Sequence, residues 1–433
     1  FRLPSGAWFN LQWSQPSPPL HHHPGTPMQI LTSLLTLIVL ARVLGHLFTR
    51  WGQPAIVGEM VAGIVLGPAV LGLVEPNPAL SGIASLAIFL VVLDAGLEMS
   101  FKDVQAAMRG RGFIVAVVAF FLPFGAGAAV AWAFDQDLMR TIFLGLCISI
   151  TAMPVAVKML DEMGLLQTAI GRYSVSTAVI NDILALFILG VLLALPAQSS
   201  WAAIFATGGM VTLKLLVLAL AVLGLNALLN LLHRRGVEVS AGPEKLAAMF
   251  GPEAVFGIVI VFVLAFGSLS ESLGFHFVIG AFFAALLLDK RQFVAARYED
   301  LRRTLSSITG GFLAPVFFAY LGLEFQISAL ADVGFVAAVL FAAIASKVLA
   351  GWLGGRAIGM SSREALGLGF ILNGRGAMEL VVASIALERG FIGQGMFSVL
   401  VLMGVVTTLL APISFNAIVD QKMRERYRDT GQL

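Results

Sequence analysis

An aspartate lies inside an apolar segment that is long enough to cross a membrane. Asn181 and Asp182 interrupt the stretch STAVINDILALFILG, which covers residues 176–190. On insertion scales an Asp at the centre of a spanning helix costs about 2.5–3.5 kcal/mol. A lone carboxylate in such a place can bind a proton or a small cation, but not both at once. The pattern therefore predicts a proton and alkali-cation site at Asp182, with Asn181 as a neutral neighbour.

Helix-breaking residues in two other spans predict the oxygen atoms that would complete this site. SITAMPVAV contains Pro154 and places Thr151 at the first break, and ILNGRGAMEL contains Asn373 and Arg375 at the second break. Backbone carbonyls released from a helix are available as ligands, together with the Thr151 hydroxyl. Asn373 is a further candidate at the second break.

Lys347, in FAAIASKVLAGW, lies about fifteen residues into its span, too deep to reach either membrane surface. Two interpretations of this lysine are open. It can compensate the partial negative charge at the carboxyl ends of broken helices, which we favour. It can instead pair with Asp182 and release it when a cation arrives. Lys214, near the end of another span, is expected to extend its charged group to the membrane surface.

Three more ionisable residues lie within spans. Arg375 and Glu379 are four residues apart, which places them on one face of a helix, where an ion pair would steady the broken segment. Direct contact with the transported ion is the alternative for this pair. Asp94 lies about six residues from the end of its span and is a candidate for a second titratable site.

The composition is that of a membrane protein with many spanning helices. The chain has 433 residues, of which 58% are hydrophobic and 12% charged, and its mean hydropathy is +0.93. Soluble domains carry about 25% charged residues. Thirteen apolar segments, each long enough for the roughly 30 Å hydrocarbon layer, follow one another. They are predicted near residues 28–48, 54–73, 80–100, 112–134, 139–160, 168–196, 205–232, 250–270, 275–289, 309–326, 332–355, 363–388 and 394–418.

The basic residues predict the orientation of these spans. Nearly all Lys and Arg residues outside the spans fall in alternate connections and in the segment after the last span, whereas the opposite connections hold only Arg140 and Arg389. The basic side is cytoplasmic by the positive-inside rule. The amino terminus is then outside and the carboxyl terminus inside, as an odd number of spans requires.

An internal repeat is visible in the sequence. The third span ends VVLDAGLEMSF and the tenth ends FFAYLGLEFQI, so that Glu98 and Glu324 occupy the same place in two Gly-Leu-Glu motifs. We call the distance along the chain from Glu98 to Glu324 the repeat offset. It amounts to seven spans, and because seven is odd, the two copies cross the membrane in opposite directions. The spans with the two breaks have a similar separation. Paired breaks in an inverted repeat point to the substrate site of a transporter.

Several separated motifs resemble the monovalent cation:proton antiporter-2 family, and the resemblance covers about residues 28–418. QPAIVGEMVAGIVLGPAVLG is similar to the family's second span, HFVIGAFFAALLLD to its ninth and PVFFAYLGLEF to its tenth. The segments from Ser149 to Ala185 and LNGRGAMELVVASIAL resemble the cation/proton exchanger branch.

The resemblance implies an inverted-repeat fold with two crossing broken helices and interleaved core and dimerisation parts that move like an elevator, usually in a homodimer. It implies that Asp182 is the essential carboxylate, Asn181 its partner, Thr151 part of the unwound crossing and Lys347 the basic residue of the core. An Asn-Asp pair tends to accompany electroneutral exchange. Asp94 departs from the family pattern, which usually has an apolar residue there.

These observations predict a secondary antiporter that exchanges Na⁺ or K⁺ for H⁺ in a bacterial inner membrane, not an enzyme, and without cofactor or nucleic acid. Na⁺ is slightly favoured over K⁺. The alternative is a sodium-coupled symporter of an organic anion, which would need more polar residues around a larger cavity. Residues 1–27 are expected to be a disordered or artificial leader, residues 28–420 the membrane domain and residues 421–433 a basic cytoplasmic tail.

Overall fold

A computed structural model describes residues 27–97, 107–108, 110–166, 168–194, 201–235, 248–251, 253–288 and 295–419. These residues form α-helices with short connections and no β-strand. The expected leader and tail, apart from Pro27, lie outside the described residues. The helices are α1 (Pro27–Arg50), α2 (Ala55–Leu66), α3 (Pro78–Leu97), α4 (Gly112–Ala133), α5 (Leu138–Ser149), α6 (Met153–Glu162), α7 (Ala169–Leu193), α8 (Trp201–Arg234), α9 (Glu253–Ser272), α10 (Phe277–Leu287), α11 (Ala295–Ile308), α12 (Ala314–Leu323), α13 (Val333–Ala357), α14 (Ser362–Ile371), α15 (Ala377–Glu388) and α16 (Gln394–Ile418).

The described helices form thirteen spans, as predicted. Nine of them are long and apolar enough to cross a membrane by themselves. The short helices α2 and α10 and the two broken spans, α5 with α6 and α14 with α15, supply the other four. The tenth span differs from the prediction, because its helix begins at Ala295 rather than near residue 309. A five-residue π-helix, Thr309–Leu313, joins α11 to α12 within this span.

Polar side chains at the helix starts explain several of the boundaries. Asp332 accepts a hydrogen bond from the backbone nitrogen of Phe335 at the start of α13, at 2.9 Å. Ser361 and Glu364 form a reciprocal capping box at the start of α14. Such caps satisfy amide groups that have no partner within the first helical turn. The capping residues therefore explain where α13 and α14 begin.

The helices pack into two bundles. The core bundle consists of α4–α7 and α13–α16, and the flanking bundle of α1–α3 and α9–α12. The remaining helix, α8, contacts α7 of the core bundle and α10 of the flanking bundle. Most close packing lies within a bundle, and contacts between the two are fewer. One of these contacts joins α16 to the short 3₁₀-helix Ile327–Ala331, which follows α12. The exposed residues are largely apolar, for example Leu31, Leu35 and Val261, as expected of helices that face lipid.

The repeat predicted from Glu98 and Glu324 extends through the described chain. When the chain is shifted by the repeat offset, spans one to six fall on spans eight to thirteen in the same order. Gly164 follows α6 with φ of +69°, and Gly390, one repeat offset later, follows α15 with φ of +71°. Glycine adopts this left-handed conformation without the steric cost that other residues incur. The same chain reversal therefore ends both broken spans. Glu98 itself lies outside the described residues.

Candidate functional site

The two broken spans cross each other at their breaks. The backbone nitrogen of Ala152 donates to Gly374 O at 3.0 Å. The Thr151 hydroxyl donates to Leu372 O at 3.1 Å. These bonds replace part of the helical hydrogen bonding that each segment loses where it unwinds, and they tie the two breaks together in the core bundle.

Proline chemistry explains the first break and one of its long-range contacts. Pro154 has no amide hydrogen, so the carbonyl of Ile150, four residues earlier, has no helical partner. Arg375 Nη1 donates to this Ile150 oxygen at 3.1 Å. The same nitrogen donates to Cys147 O at 2.5 Å. An arginine of the second break thus satisfies carbonyls at the carboxyl end of α5.

Glycines in the second break allow the close approach of the first. A Cβ atom at Gly376 would lie 2.7 Å from Ala152 Cβ, and one at Gly374 would lie 3.0 Å from Val155 Cγ1. The first contact is shorter than packed atoms allow, and the second would require Val155 to shift. The sequence Gly-Arg-Gly therefore serves two purposes, since it supplies the arginine and leaves room for the crossing.

Lys347 reaches the first break from α13 and is completely buried. Its Nζ donates to Ser149 O at 2.5 Å, to Thr151 Oγ1 at 2.7 Å and to Ala119 O at 3.0 Å. A lysine ammonium has three donors, so all of them are used. Ser149 is the last residue of α5, where the helix dipole places partial negative charge. These contacts fit charge compensation, the first of the two interpretations of Lys347.

Asp182 lies within α7 and is 3% exposed. Its Oδ1 is buried and has no hydrogen-bond partner in the described part of the chain. None of the ion pairs between described residues joins Asp182 to Lys347, although the two charges interact electrostatically. A buried carboxylate oxygen without a partner favours binding of a proton or a cation, because either one replaces the lost hydration.

The Asn181 amide can point in two directions. In one, its Nδ2 lies 3.4 Å from both Ser149 O and Thr151 Oγ1. Turned by half a rotation, Nδ2 donates to Thr177 O and Ala116 O, both at 3.3 Å. We assign the second orientation, because in the first the amide oxygen faces only acceptors. The assigned orientation turns the amide oxygen toward the first break, where it can act as a ligand.

The expected supply of free carbonyls at the first break is smaller than predicted. Ser149 O accepts from Lys347 and Ile150 O accepts from Arg375. Each of these two oxygens therefore already accepts a hydrogen bond from a positively charged side chain. The oxygens best placed for a cation are therefore side-chain oxygens, those of Asp182 and Asn181.

Arg375 and Glu379 form the expected ion pair, with Arg375 Nη1 3.6 Å from Glu379 Oε2 and both side chains fully buried. Arg375 precedes α15, so the pair joins the second break to the first turn of this helix. Glu379 lies in the first turn of α15, where the helix dipole favours a negative charge. The pair therefore steadies the amino end of α15 while the guanidinium binds the carboxyl end of α5.

Thr408 is a residue that inspection of the sequence missed. Its hydroxyl accepts from the backbone nitrogen of Arg375 and donates to the backbone oxygen of the same residue, both at 3.1 Å. Thr408 lies one repeat offset after Asp182 and is its counterpart in the repeat. One copy thus holds its break with a neutral hydroxyl, whereas the other presents a carboxylate. The offset read from the two Gly-Leu-Glu motifs would have located Thr408.

The two other candidates differ in their relation to this site. Asn373 lies in the second break, donates to Gly369 O at 3.2 Å and keeps a buried amide oxygen without a partner among the described residues. Asp94 lies on α3 in the flanking bundle, and the charge that acts on it is that of Arg302 on α11. Asp94 is thus placed in a different bundle from Asp182.

Comparison with known proteins agrees with this geometry. The model of the family described as "Sodium/hydrogen exchanger, transmembrane" matches residues 33–421. The chain belongs to this sodium/hydrogen exchanger family. Membership identifies it as one of a family of membrane transporters and confirms the cation:proton antiporter resemblance.

Individual relatives occur in bacteria and plants. The Na⁺/H⁺ antiporter NhaS4 of Synechocystis is 26% identical over 408 residues, which cover 89% of this chain and 96% of that protein. Cation/H⁺ antiporter 20 of Arabidopsis thaliana is 28% identical over 421 residues, which cover 90% of this chain and 48% of the plant protein. The chain therefore spans about half the length of this plant relative.

A solved structure shows the same fold. The sodium proton antiporter MjNhaP1 of Methanocaldococcus jannaschii matches with a TM-score of 0.68 and 16% identity, over 92% of this chain and 98% of that one. The described helices therefore share their overall fold with this solved structure.

Proposed function

We propose that the protein exchanges Na⁺ or K⁺ for H⁺ across a membrane, and that both ions bind in turn to Asp182. The observation that supports this most directly is the buried Asp182 oxygen without a hydrogen-bond partner in the described chain, beside the crossing of the two breaks. The Asn181 amide oxygen, which is turned toward the first break, is proposed as a further ligand. The Thr151 hydroxyl already donates to Leu372 O and accepts from Lys347, which makes it the weaker candidate. Na⁺ is slightly favoured, and NhaS4, a relative, is named a Na⁺/H⁺ antiporter.

The charges in the core bundle support electroneutral exchange. Lys347 interacts electrostatically with Asp182, Arg375 and Glu379, and all four side chains are buried. With Asp182 ionised, two positive and two negative charges sum to zero. Binding of one proton or one monovalent cation raises the total to +1 in either case. Both loaded forms thus carry equal charge, and one turnover moves no net charge if Lys347 stays protonated.

The two bundles support movement by alternating access. Because all four charged residues belong to the core bundle, that bundle can carry the bound ion past the flanking bundle as in an elevator. We further propose a homodimer in which the flanking bundles form the interface while the core bundles move. We place the face that holds Arg50, Arg111 and Arg363 in the cytoplasm, which puts the amino terminus outside and the carboxyl terminus inside, in a bacterial inner membrane. This face is called the basic face below.

Proteoliposomes with a trapped proton-sensitive dye test the proposal. An external pulse of NaCl or KCl should alkalinise the interior, because the cation enters as a proton leaves. An organic-anion salt of choline should have no effect. Uptake of an organic anion that requires Na⁺ and leaves the internal pH unchanged would show the symporter instead.

The Asp182→Asn variant should lose exchange by at least tenfold while it inserts and folds, because it keeps the side-chain size but cannot ionise. Asp300→Asn is the matched control, since Asp300 is exposed on α11 and should exchange as the parent does. Normal exchange by Asp182→Asn would refute the assignment of the site.

A further inference from the structure

A hydrogen-bonded cluster joins the two bundles on the face opposite the basic face. Gln394 Nε2, at the start of α16 in the core bundle, donates to Glu324 Oε2 at 2.7 Å and to Glu324 O at 2.5 Å. Tyr320, on α12 in the flanking bundle, donates through its hydroxyl to Glu324 Oε1 at 2.7 Å. A charge-assisted hydrogen bond of this kind is stronger than one between neutral groups.

A second connection lies one turn further along α16. The backbone nitrogen of Gln326 donates to Ser398 Oγ at 2.9 Å, and this hydroxyl donates in turn to Gln394 O at 2.8 Å. We call Tyr320, Glu324, Gln394 and Ser398 the outer lock. It ties the end of the tenth span to the start of the thirteenth, so these two ends cannot separate without breaking it.

The repeat supplies a counterpart to three members of the outer lock at the basic face. One repeat offset earlier in the chain, Asp94 corresponds to Tyr320, Thr168 to Gln394 and Arg172 to Ser398. Asp94 is on α3 of the flanking bundle, whereas Thr168 and Arg172 begin α7 of the core bundle. The counterparts thus lie on opposite sides of the boundary between the bundles, as in the outer lock.

These counterparts are not joined in the structure. The Thr168 hydroxyl donates to Leu165 O within its own turn, at 2.5 Å, and Arg172 is exposed. Asp94 is half-buried and interacts electrostatically with Arg302, a residue of its own bundle. Among the described residues, no hydrogen bond or ion pair connects Asp94 with the start of α7. Within the described chain, the outer lock is thus closed, whereas its counterparts Asp94, Thr168 and Arg172 are not bonded to one another.

We infer that Asp94 and Arg172 are positioning residues that form an inner lock when the outer lock opens. The inference rests on the proposed exchange by alternating access. In transporters built from inverted repeats, one repeat or bundle moves against the other to alternate access. A contact that closes one face is then expected to have a repeat counterpart that closes the other face. Asp94 then pairs with Arg172, and the start of α7 closes on the end of α3. In this proposal Asp94 helps to close the basic face, and it does not carry a transported proton.

Cross-linking measures this closure without any transport. The single native cysteine, Cys147, is buried, and a Cys147→Ser parent gives a background free of thiols. In this parent, Asp94→Cys with Arg172→Cys reports the inner lock. Asp94→Cys with Arg302→Cys is the matched control, because both positions belong to the flanking bundle. A short bifunctional methanethiosulfonate reagent is added to membrane vesicles, and cross-linking is read as a gel shift.

The outer lock is weakened in a second background by Gln394→Ala and Ser398→Ala. We expect cross-linking of Asp94→Cys with Arg172→Cys to become at least threefold faster there, and that of the control pair to stay unchanged. An equal rate in both backgrounds, or no cross-link in either, would overturn the inference.

Charge exchange is an independent test of the same pair. Asp94→Arg and Arg172→Asp should each slow exchange, and the double variant should recover at least half of the parent rate. Absence of recovery in a folded double variant would contradict the pairing. Cross-linking is read without any transport. A failure of the inner lock can therefore be distinguished from a failure of the proposed exchange.

Discussion

Asp182 and Lys347 are both buried, but their polar atoms are satisfied in different ways. Each donor of Lys347 has an acceptor, whereas one oxygen of Asp182 has no partner in the described chain. A satisfied ammonium holds structure, and an unsatisfied carboxylate attracts a ligand. Stability is thus expected to depend on Lys347 more than on Asp182, and ion binding on Asp182.

Replacement of Lys347 tests its structural role. Lys347→Ala leaves the buried oxygens of Ser149 and Ala119 without their donor, at a cost of about 1–3 kcal/mol for each unsatisfied group. We expect a clearly lower melting temperature in detergent, together with loss of exchange. Lys347→Arg should keep part of the exchange, because it retains the positive charge.

Lys214→Ala is the control for this measurement, because Lys214 is exposed on α8. Its melting temperature should equal that of the parent. If Lys347→Ala were as stable and active as the parent, Lys347 would have no role in stability or in exchange.

At the scale of the elements, the crossing depends on small residues in both breaks. Gly376→Ala places a methyl group 2.7 Å from Ala152 Cβ. Overpacking of this kind typically costs about 1–3 kcal/mol. We expect reduced thermal stability and slower exchange, measured on the same purified preparation. Gly395→Ala, on α16 with open space around it, should change neither quantity, and equal behaviour of the two variants would contradict the role of the crossing.

The sequence predicts the elements better than it predicts their contacts. Apolar length and basic connections locate the thirteen spans, and Pro154 with Gly374 and Gly376 locates the two breaks, because these signals are local. The contact of Arg375 with Ile150 O joins residues 225 positions apart, and no local pattern encodes it. The beginning of the tenth span at Ala295 was missed for another reason. That segment, AARYEDLRRTLSSI, is polar, and only its continuation into the π-helix makes it part of a span.

At the scale of the whole molecule, the balance of charge predicts the response to membrane potential. The proton-loaded and cation-loaded core bundles carry the same charge, so the exchange rate should be independent of potential. A potassium–valinomycin diffusion potential imposed on proteoliposomes, with Na⁺ as the transported ion, checks this through the internal pH. A rate that changes steeply with the sign of the potential would mean that a second proton moves, and Lys347 would be the first residue to test as its carrier.

Competition between a proton and a cation for Asp182 is the central claim, and proton release measures it most directly. The detergent-solubilised protein is placed in a weakly buffered solution, at the most acidic pH at which it stays folded, and a saturating Na⁺ or K⁺ pulse is added. A pH indicator should show about one proton released per protein chain from the parent and none from Asp182→Asn. Equal release from both proteins would contradict the claim, because the cation would then displace its proton from another group.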